Sequence, residues 1–306
     1  MIERVVGRLG EIGVTEVVLS LGYQPDSFRE AFPDGRCVGV ELCYAQEPEP
    51  LDTAGAIAFA ARAAGIDDTF LALNGDVLTD LDVGALWALH AERGARATIA
   101  LTPVEDPSRY GVVVTDDDGR VRQFIEKPAP GTAPSNWINA GTYVLEPSVL
   151  DLVEPGRPSS IERDVFPRLA SEGSLFAMGS EAYWIDAGTP EAYIAAQLDE
   201  LDGRRSGAHV SGIHPGAFVA ATAKVERSVV GEAASIAEGA LVVDSIVMRG
   251  AVIGGCAVIR NSIVGWDARV GSNASVLDLS VIGPGESVDA ALTLEGATVP
   301  PKEMWT

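Results

Sequence analysis

Cysteine is scarce in this chain. Cys37, Cys43 and Cys256, at unrelated spacings in 306 residues, form neither a disulfide framework nor a metal-ligand pattern, which fits a reducing cytoplasm. Histidine is equally scarce. His90, His209 and His214 are too few and too scattered for a His-based metal site. Hydrophobic residues make up 47% of the chain, yet no apolar run approaches membrane-spanning length, so a soluble protein is expected, with no membrane partner. Positive charge is in deficit: 22 Lys and Arg against 44 Asp and Glu give a net charge of −22. That argues against a nucleic-acid surface, which needs a basic patch, but leaves room for a small phosphorylated substrate whose charge a metal offsets. Met1 leads directly into an amphipathic segment without the basic stretch and apolar core of a signal peptide, so a cytoplasmic location is expected.

The length suffices for two domains with sizeable cores. In the first part, helices are expected at Met1–Gly13, Asp26–Phe32, Leu51–Ala64 and from Val83 to Arg93. Strands are expected at Val14–Leu21, Val38–Tyr44 and Phe70–Leu73, the last a short apolar run read as a buried parallel strand. Such alternation implies an α/β sheet covered on both faces. The chain opens on a helix, without the first strand and phosphate-cradling loop that normally start a doubly wound domain. After Arg93, strands are expected at Ala97–Pro103, Gly111–Thr115, Val121–Glu126, Trp137–Leu145 and Tyr183–Ile185, with D-D-D-G-R (Asp116–Arg120) as a hairpin turn. Helices follow at Ile161–Leu169 and Pro190–Leu201, and G-R-R-S-G (Gly203–Gly207) reads as a linker between a domain at 1–203 and another at 208–298.

That second domain is an internal repeat. Aliphatic residues fall at Ile213, Val219, Val225; Val230, Ile236, Val242; Val247, Ile253, Ile259; Val264, Val270, Val276; and Ile282, Val288, Leu294. The step within each triplet is six; the first members step by seventeen, and once, at the end, by eighteen. Ser228, Ser245 and Ser262 repeat the seventeen. A sandwich would alternate with period two, whereas three faces per turn describe a triangular parallel β-helix of about five coils.

The chemistry-bearing stretches are L-D-T-A-G (Leu51–Gly55), N-G-D-V (Asn74–Val77), R-Y-G-V-V (Arg109–Val113), F-I-E-K-P (Phe124–Pro128), N-A-G-T-Y (Asn139–Tyr143) and W-I-D-A-G-T (Trp184–Thr189). Each has a plainer reading when taken alone. Asp76 and Asp186 read equally as turn aspartates, Asn139-Ala140-Gly141 as a bulge, Glu126-Lys127 as a solvated pair and Gly111 as a strand-start glycine. Together they say more. Two aspartates at strand ends can chelate Mg²⁺, which takes few carboxylates plus phosphate oxygens. Lys127, fixed by the following proline, offers a point charge for a phosphate. Glu126 and the backbone around Gly111 and Gly141 suit sugar hydroxyls, and Gly55 lets a base approach the backbone closely.

At these residues the chain resembles the nucleotide-sugar pyrophosphorylases, or sugar-1-phosphate nucleotidylyltransferases. L-D-T-A-G resembles that family's L-G-T-A-G, and the other motifs match in their usual order. The tail resembles the β-helix of the mannose-1-phosphate guanylyltransferases and the long glucose-1-phosphate nucleotidylyltransferases. The resemblance implies a Rossmann-like mixed sheet, lacking its first strand, followed by a left-handed parallel β-helix of hexapeptide repeats. It implies that Asp76 and Asp186 hold Mg²⁺, that Lys127 binds the sugar phosphate and Glu126 the sugar hydroxyls, and that Tyr110, Gly111, Asn139 and Gly141 line the sugar pocket. Gln46, Leu51, Thr53, Ala54, Gly55 and Gly75 would face the nucleotide. The implied partners are a nucleoside triphosphate and a sugar 1-phosphate, in a homo-oligomer formed through the β-helix.

Two departures stand out. The family's G-G-x-G-T-R-L-x-P-L-T loop and the P-K-P after it are missing, so neighbouring strands are expected to carry unpaired edges and catalysis to be impaired. Asp52 stands where the family commonly has glycine. An N-terminally truncated enzyme is the reading adopted, because the remaining motifs are intact. A non-catalytic regulatory or assembly subunit is the alternative, and a hexapeptide acyltransferase using His209 or His214 a third reading.

Overall fold

The computed structural model describes residues 1–22, 25–205 and 209–301. It divides into two compact units, Met1–Trp184 and Ile185–Thr306. Of the linker expected at Gly203–Gly207, residues Ser206 and Gly207 lie outside the described residues, as does Ala208, where the second domain was expected to begin.

In the first unit, helix α1 (Ile2–Glu11) is followed by strand β1 (Glu16–Leu21), helix α2 (Pro25–Ala31), and strands β2 (Arg36–Cys37) and β3 (Val40–Gln46). β1 runs parallel to β3, and β2 antiparallel to it, in a three-stranded sheet ordered β1-β3-β2. Helix α3 (Asp52–Ala63) leads to β4 (Phe70–Leu73), β5 (Val77–Thr79) and helix α4 (Val83–Arg93). Then come β6 (Ala97–Pro103), β7 (Gly111–Thr115), β8 (Val121–Glu126) and β9 (Trp137–Leu145). A single π-helical turn at Ile161–Val165 runs into α5 (Phe166–Ser171), and β10 (Leu175–Gly179) follows. The larger sheet is ordered β10-β6-β9-β7-β8, with β4 added to β9.

One expectation is corrected here. Phe70–Leu73 is a strand, but its pairing is antiparallel, with Phe70 opposite Leu145 and Leu73 opposite Thr142. A short apolar run reports burial, whereas direction is set by the partner, and the partner is the returning strand β9. The sheet is mixed: β10 lies parallel to β6, while β6 and β7 lie antiparallel to β9. Among the described residues β1 pairs only with β3, and β4 only with β9, so each is the outer strand of its sheet. Helix α3 packs on β1 and β3, and its Ala54, Ala58 and Ala61 also enter the core of the larger sheet. Its alanine-rich face allows this close approach, since small side chains let backbones come together at interior packing density.

The second unit holds helix α6 (Pro190–Leu201) and then the solenoid. Thr189 caps α6, its hydroxyl accepting from Ala192 N. The repeat wraps as a left-handed parallel β-helix whose three faces are three five-stranded parallel sheets. Seventeen-residue rungs pair Val242 with Ile259 and Val247 with Val264. Past the entry residue Ile213, which stays 37% exposed, the aliphatic triplets point inward: Ile236, Val242, Val247, Ile253, Ile259, Val264, Val276 and Ile282 are all at 0% exposure. Alanines at Ala234, Ala251 and Ala268, and at Ala240, Ala257 and Ala274, fill the tighter places beside them. Ile194 and Leu198 of α6 pack on Ile246 and Ile263 of the solenoid. Arg227 ties the end of that helix down through Asp202 and also bonds Asp244, at 3.0 and 2.7 Å.

The repeating serines form a buried ladder at one corner. The Ser228 hydroxyl donates to Glu226 O and accepts from Ser245 N. The Ser245 hydroxyl donates to Val243 O and accepts from Ser262 N. Each rung therefore satisfies a backbone N–H that has no ladder partner. Ser245→Ala is expected to cost about 1–3 kcal/mol, because it leaves the buried Ser262 N–H unsatisfied, while the Val243 carbonyl keeps the Asn261 N–H; urea unfolding of the full chain checks this. No change in midpoint would mean that water reaches the corner. The one extra residue of the final step falls beside this ladder, where Asp278 and Leu279 both take left-handed φ angles of 52° and 64°. There Leu279 N donates to Asn261 O at 2.7 Å, and the serine column resumes at Ser280.

Candidate functional site

The candidate residues of the first unit gather where β8 and β9 meet the start of α3 and the π turn. β8 delivers Glu126 and Lys127 at its end. Glu126 lies across from Gly111 in the β7–β8 ladder. A Cβ on Gly111 would stand 2.6 Å from the Phe124 ring and 2.9 Å from Glu126 Oε2, so only glycine leaves that carboxylate its position. Burial, then the neighbouring Glu162 carboxylate, pushes the Glu126 carboxyl above the usual carboxylate range, against the pull of Lys127 and Arg163.

Lys127 has a positive φ of 48°, although a residue before proline is biased toward extended backbone. Its N–H donates to Tyr110 O at 3.0 Å, which holds the strained turn. Its ammonium lies 3.8 Å from Glu126 and its side chain is 66% exposed. Strain of this kind, about 1–3 kcal/mol, persists only where the surroundings over-determine it and clusters at functional sites. The lysine is thus held in a left-handed turn, and not in the extended conformation that its proline suggests. Tyr110 stacks edge-on against Trp184, with ring centroids 5.8 Å apart. The Trp184 indole N–H donates to Ala140 O.

Ala140 belongs to the N-A-G turn, which is a bulge in β9: Ile99 faces Tyr143 and Leu101 faces Asn139, so three residues of β9 oppose Ala100 alone. Asn139 makes this bulge. Its Oδ1 accepts from Gly141 N at 3.0 Å and its Nδ2 donates to the Tyr143 hydroxyl at 2.8 Å. Gly141 has φ +71°, and a Cβ there would sit 2.7 Å from Asn74 Nδ2. Asn74 N in turn donates to Gly141 O. The N-G-D turn and the N-A-G bulge therefore lock against each other. Gly75 and Asp76 stand exposed in the turn that follows β4.

L-D-T-A-G forms the start of α3. The N–H groups of Ala54 and Gly55 both donate to Ser159 O, and Ser159 N donates to Leu51 O. The close approach at Gly55 comes from the chain itself: a Cβ there would lie 2.8 Å from Leu51 Cβ and 3.1 Å from Arg157 O. Leu51 is buried, while Gln46 is exposed at the end of β3. Thr53 accepts from Ile161 N and donates to Glu162 Oε2, both at 2.8 Å.

Asp52, the departure from L-G-T-A-G, has φ +57°. The position is a left-handed one, where glycine is strain-free and aspartate among the better tolerated side chains. Asp52 also bonds Thr53 N through Oδ1 and pairs with Arg163 through Oδ2 at 2.6 Å. Asp52→Ala is expected to lose about 1–2 kcal/mol, by forcing a plain side chain into that conformation. Asp52→Gly should stay near wild type, since the exposed ion pair contributes little. Chemical denaturation of both variants tests the ordering, and alanine matching glycine would refute it.

Asp186 belongs to the second unit. Its Oδ1 accepts from Gly188 N at 2.9 Å in an Asx turn, leaving the other oxygen without a protein donor among the described residues. Carboxylate oxygens are hard donors, and those of Asp76 and Asp186 fit Mg²⁺ better than any softer metal. Among the described residues no group of three or more His, Cys, Asp or Glu stands ready for a metal. The solenoid histidines are spent locally: His209 Nδ1 lies 3.1 Å from Leu201 O, and His214 Nδ1 accepts from Gly216 N.

Sequence reasoning passed over Glu162 and Arg163, which it placed inside an ordinary helix. Two signals were present in S-S-I-E-R-D (Ser159–Asp164): a serine cap, and charged residues just ahead of the apolar Val165-Phe166.

The fold and these motifs define an enzyme that transfers nucleotidyl groups. The family model described as nucleotidyl transferase matches residues 1–203, and the one described as GMPPB C-terminal domain matches residues 209–305. The chain belongs to the nucleotidyl transferase family. Among its relatives, the probable mannose-1-phosphate guanylyltransferase 1 of Oryza sativa subsp. japonica is 39% identical, over 99% of this chain and 88% of that protein. The mannose-1-phosphate guanylyltransferase of Mycobacterium tuberculosis is 34% identical over 79% of this chain and 70% of that protein. Among solved structures, HddC from Yersinia pseudotuberculosis has a TM-score of 0.55 at 30% identity, over 63% of this chain and 82% of that one. The same protein has been solved in complex with GMP-PN. Among the described residues no helix is long and apolar enough to cross a membrane.

Proposed function

We propose that this chain makes a nucleotide sugar of the GDP-mannose type from GTP and mannose 1-phosphate, with Mg²⁺ as cofactor, in the cytoplasm. The carrying observation is the convergence of Glu126, the strained Lys127 and the N-A-G bulge in a chain similar to mannose-1-phosphate guanylyltransferases along nearly its whole length. The reaction is in-line attack of a sugar-phosphate oxygen on the nucleotide α-phosphorus, with pyrophosphate leaving. Little covalent work falls to the protein, so positioning and charge neutralisation supply the rate.

Lys127 is the point charge for the sugar phosphate, held outward by its left-handed turn. Glu126 accepts sugar hydroxyls, and the Tyr110–Trp184 pair walls the pocket. Asp76 and Asp186 are the carboxylates nominated for Mg²⁺, which when bound neutralises phosphate charge and polarises the reacting phosphorus. Leu51, Thr53, Ala54 and Gly55 at the start of α3, with Gln46 and Gly75, are the nominated nucleotide side. Pyrophosphate release with GTP and mannose 1-phosphate, measured against other nucleotide–sugar pairs, tests the reading. Turnover confined to a different pair would replace the substrates, and none with any pair would remove the activity. Exposed Phe218, Trp266 and Leu292 on the solenoid support assembly into a homo-oligomer, which light scattering would detect; a monomer at all concentrations would refute it.

A further inference from the structure

Glu162 and Arg163 both act on Glu126, and the motifs assign neither of them a task; Arg163 is paired with Asp52, which leaves Glu162. It sits in the π turn at Ile161–Val165, and isolated π turns recur at functional sites because they re-aim side chains from the helix they open. Two neighbours fix where this turn lies. Phe166, at 0% exposure, wedges between Phe124 and Tyr143, with ring centroids 5.4 and 5.2 Å away. Phe124 is two residues before Glu126, and Tyr143 is bonded to Asn139, so the wedge sets the π turn against both halves of the sugar side.

The carboxylate is also gripped at one oxygen only. Thr53 and Ser160 hydroxyls both donate to Glu162 Oε2 at 2.8 Å. Oε1 has no protein donor among the described residues. The field of this carboxylate reaches both Glu126 and the buried Tyr143 phenol, and with burial it helps to push the ionisation of each upward. Lys127 and Arg163 offset the paired negative charge. An anionic group placed against these two carboxylates would be repelled. A ligand rich in hydroxyl donors is what relieves them, since each hydroxyl gives a charge-assisted hydrogen bond.

We propose that Glu162 is a second sugar-binding carboxylate, its Oε1 taking a hydroxyl of the sugar 1-phosphate beside Glu126. This rests on the sugar-phosphate reading of the site. Isothermal titration of the full chain with mannose 1-phosphate and, separately, with GTP and Mg²⁺ tests it. Glu162→Gln, which keeps the shape and loses the charge, should weaken mannose 1-phosphate by about tenfold or more and leave GTP unchanged. Ser160→Ala, which removes one of the two hydroxyls on the held oxygen, should weaken the sugar phosphate less and leave GTP unchanged; this second variant keeps the test usable if Glu162→Gln folds poorly. One monodeoxy mannose 1-phosphate should bind wild type and Glu162→Gln equally, naming the hydroxyl. Unchanged sugar affinity, or equal losses for both ligands, would overturn the assignment while the site reading stands. Wild type binding GTP but no sugar 1-phosphate would instead sink the sugar-phosphate reading and Glu162 with it.

Discussion

Asp76→Asn is expected to lower pyrophosphate release by about a hundredfold or more, the scale of losing one preorganised charge-stabilising group, with the unfolding midpoint little moved. Asp76 is exposed in the turn after β4. Asn74 helps to shape this turn, through Gly141 O and the glycine's open face. Asparagine keeps that geometry and removes the charge a cation needs. The loss should therefore be partly recovered at high Mg²⁺, or with Mn²⁺, which binds nitrogen- and oxygen-rich sites more tightly. A variant with normal turnover at every Mg²⁺ concentration would show that Asp76 is a turn residue only. A variant that loses activity and cooperative unfolding together would show that it serves the fold.

Phe166→Ala is expected to have the largest effect on stability, about 3–5 kcal/mol, the usual cost of emptying a buried aromatic position. Phe166 is wholly buried and stands between the rings of Phe124 and Tyr143. The cavity would open beneath the π turn, so sugar-phosphate affinity should fall along with stability. Phe166→Leu separates the two effects: it refills much of the volume and should recover most of the stability. Denaturant unfolding of both variants, with binding measured well below the midpoint, supplies the numbers. A cost near that of a surface substitution would mean that the site collapses around the vacancy.

Much of this architecture was legible before any coordinates. The aliphatic triplets announced the solenoid because its inward residues recur at a spacing no sandwich produces, and those residues, Ile213 excepted, form its core or pack against it. Strands from Ala97 to Pro103 and from Trp137 to Leu145 were legible through their apolar runs. The direction of Phe70–Leu73 was not, because strand direction depends on a partner some seventy residues away. Leu175–Gly179 was missed, since L-F-A-M-G shows no alternation, although the turn at Glu172-Gly173-Ser174 stands directly before it. At the site, the glycine motifs could be located but not the atoms they make room for. The space beside Gly111 serves Glu126 and Phe124, and that beside Gly55 serves Arg157 and Leu51. Glu162 was invisible because a glutamate one residue into a helix usually faces solvent. Only the widened turn and the Thr53 hydroxyl bring it back toward Glu126.

The extra residue at Asp278 and Leu279 marks where this solenoid accepts added length. The two left-handed residues swing the insertion out at a corner, and the next face returns in register, Val264 pairing with Ile282 as though nothing had been added. A corner that absorbs one residue without disturbing the interior makes the solenoid tolerant of length change at its edges and intolerant of it along its faces. A builder could therefore graft a loop at residues 278–279 while leaving the stacked aliphatic column untouched.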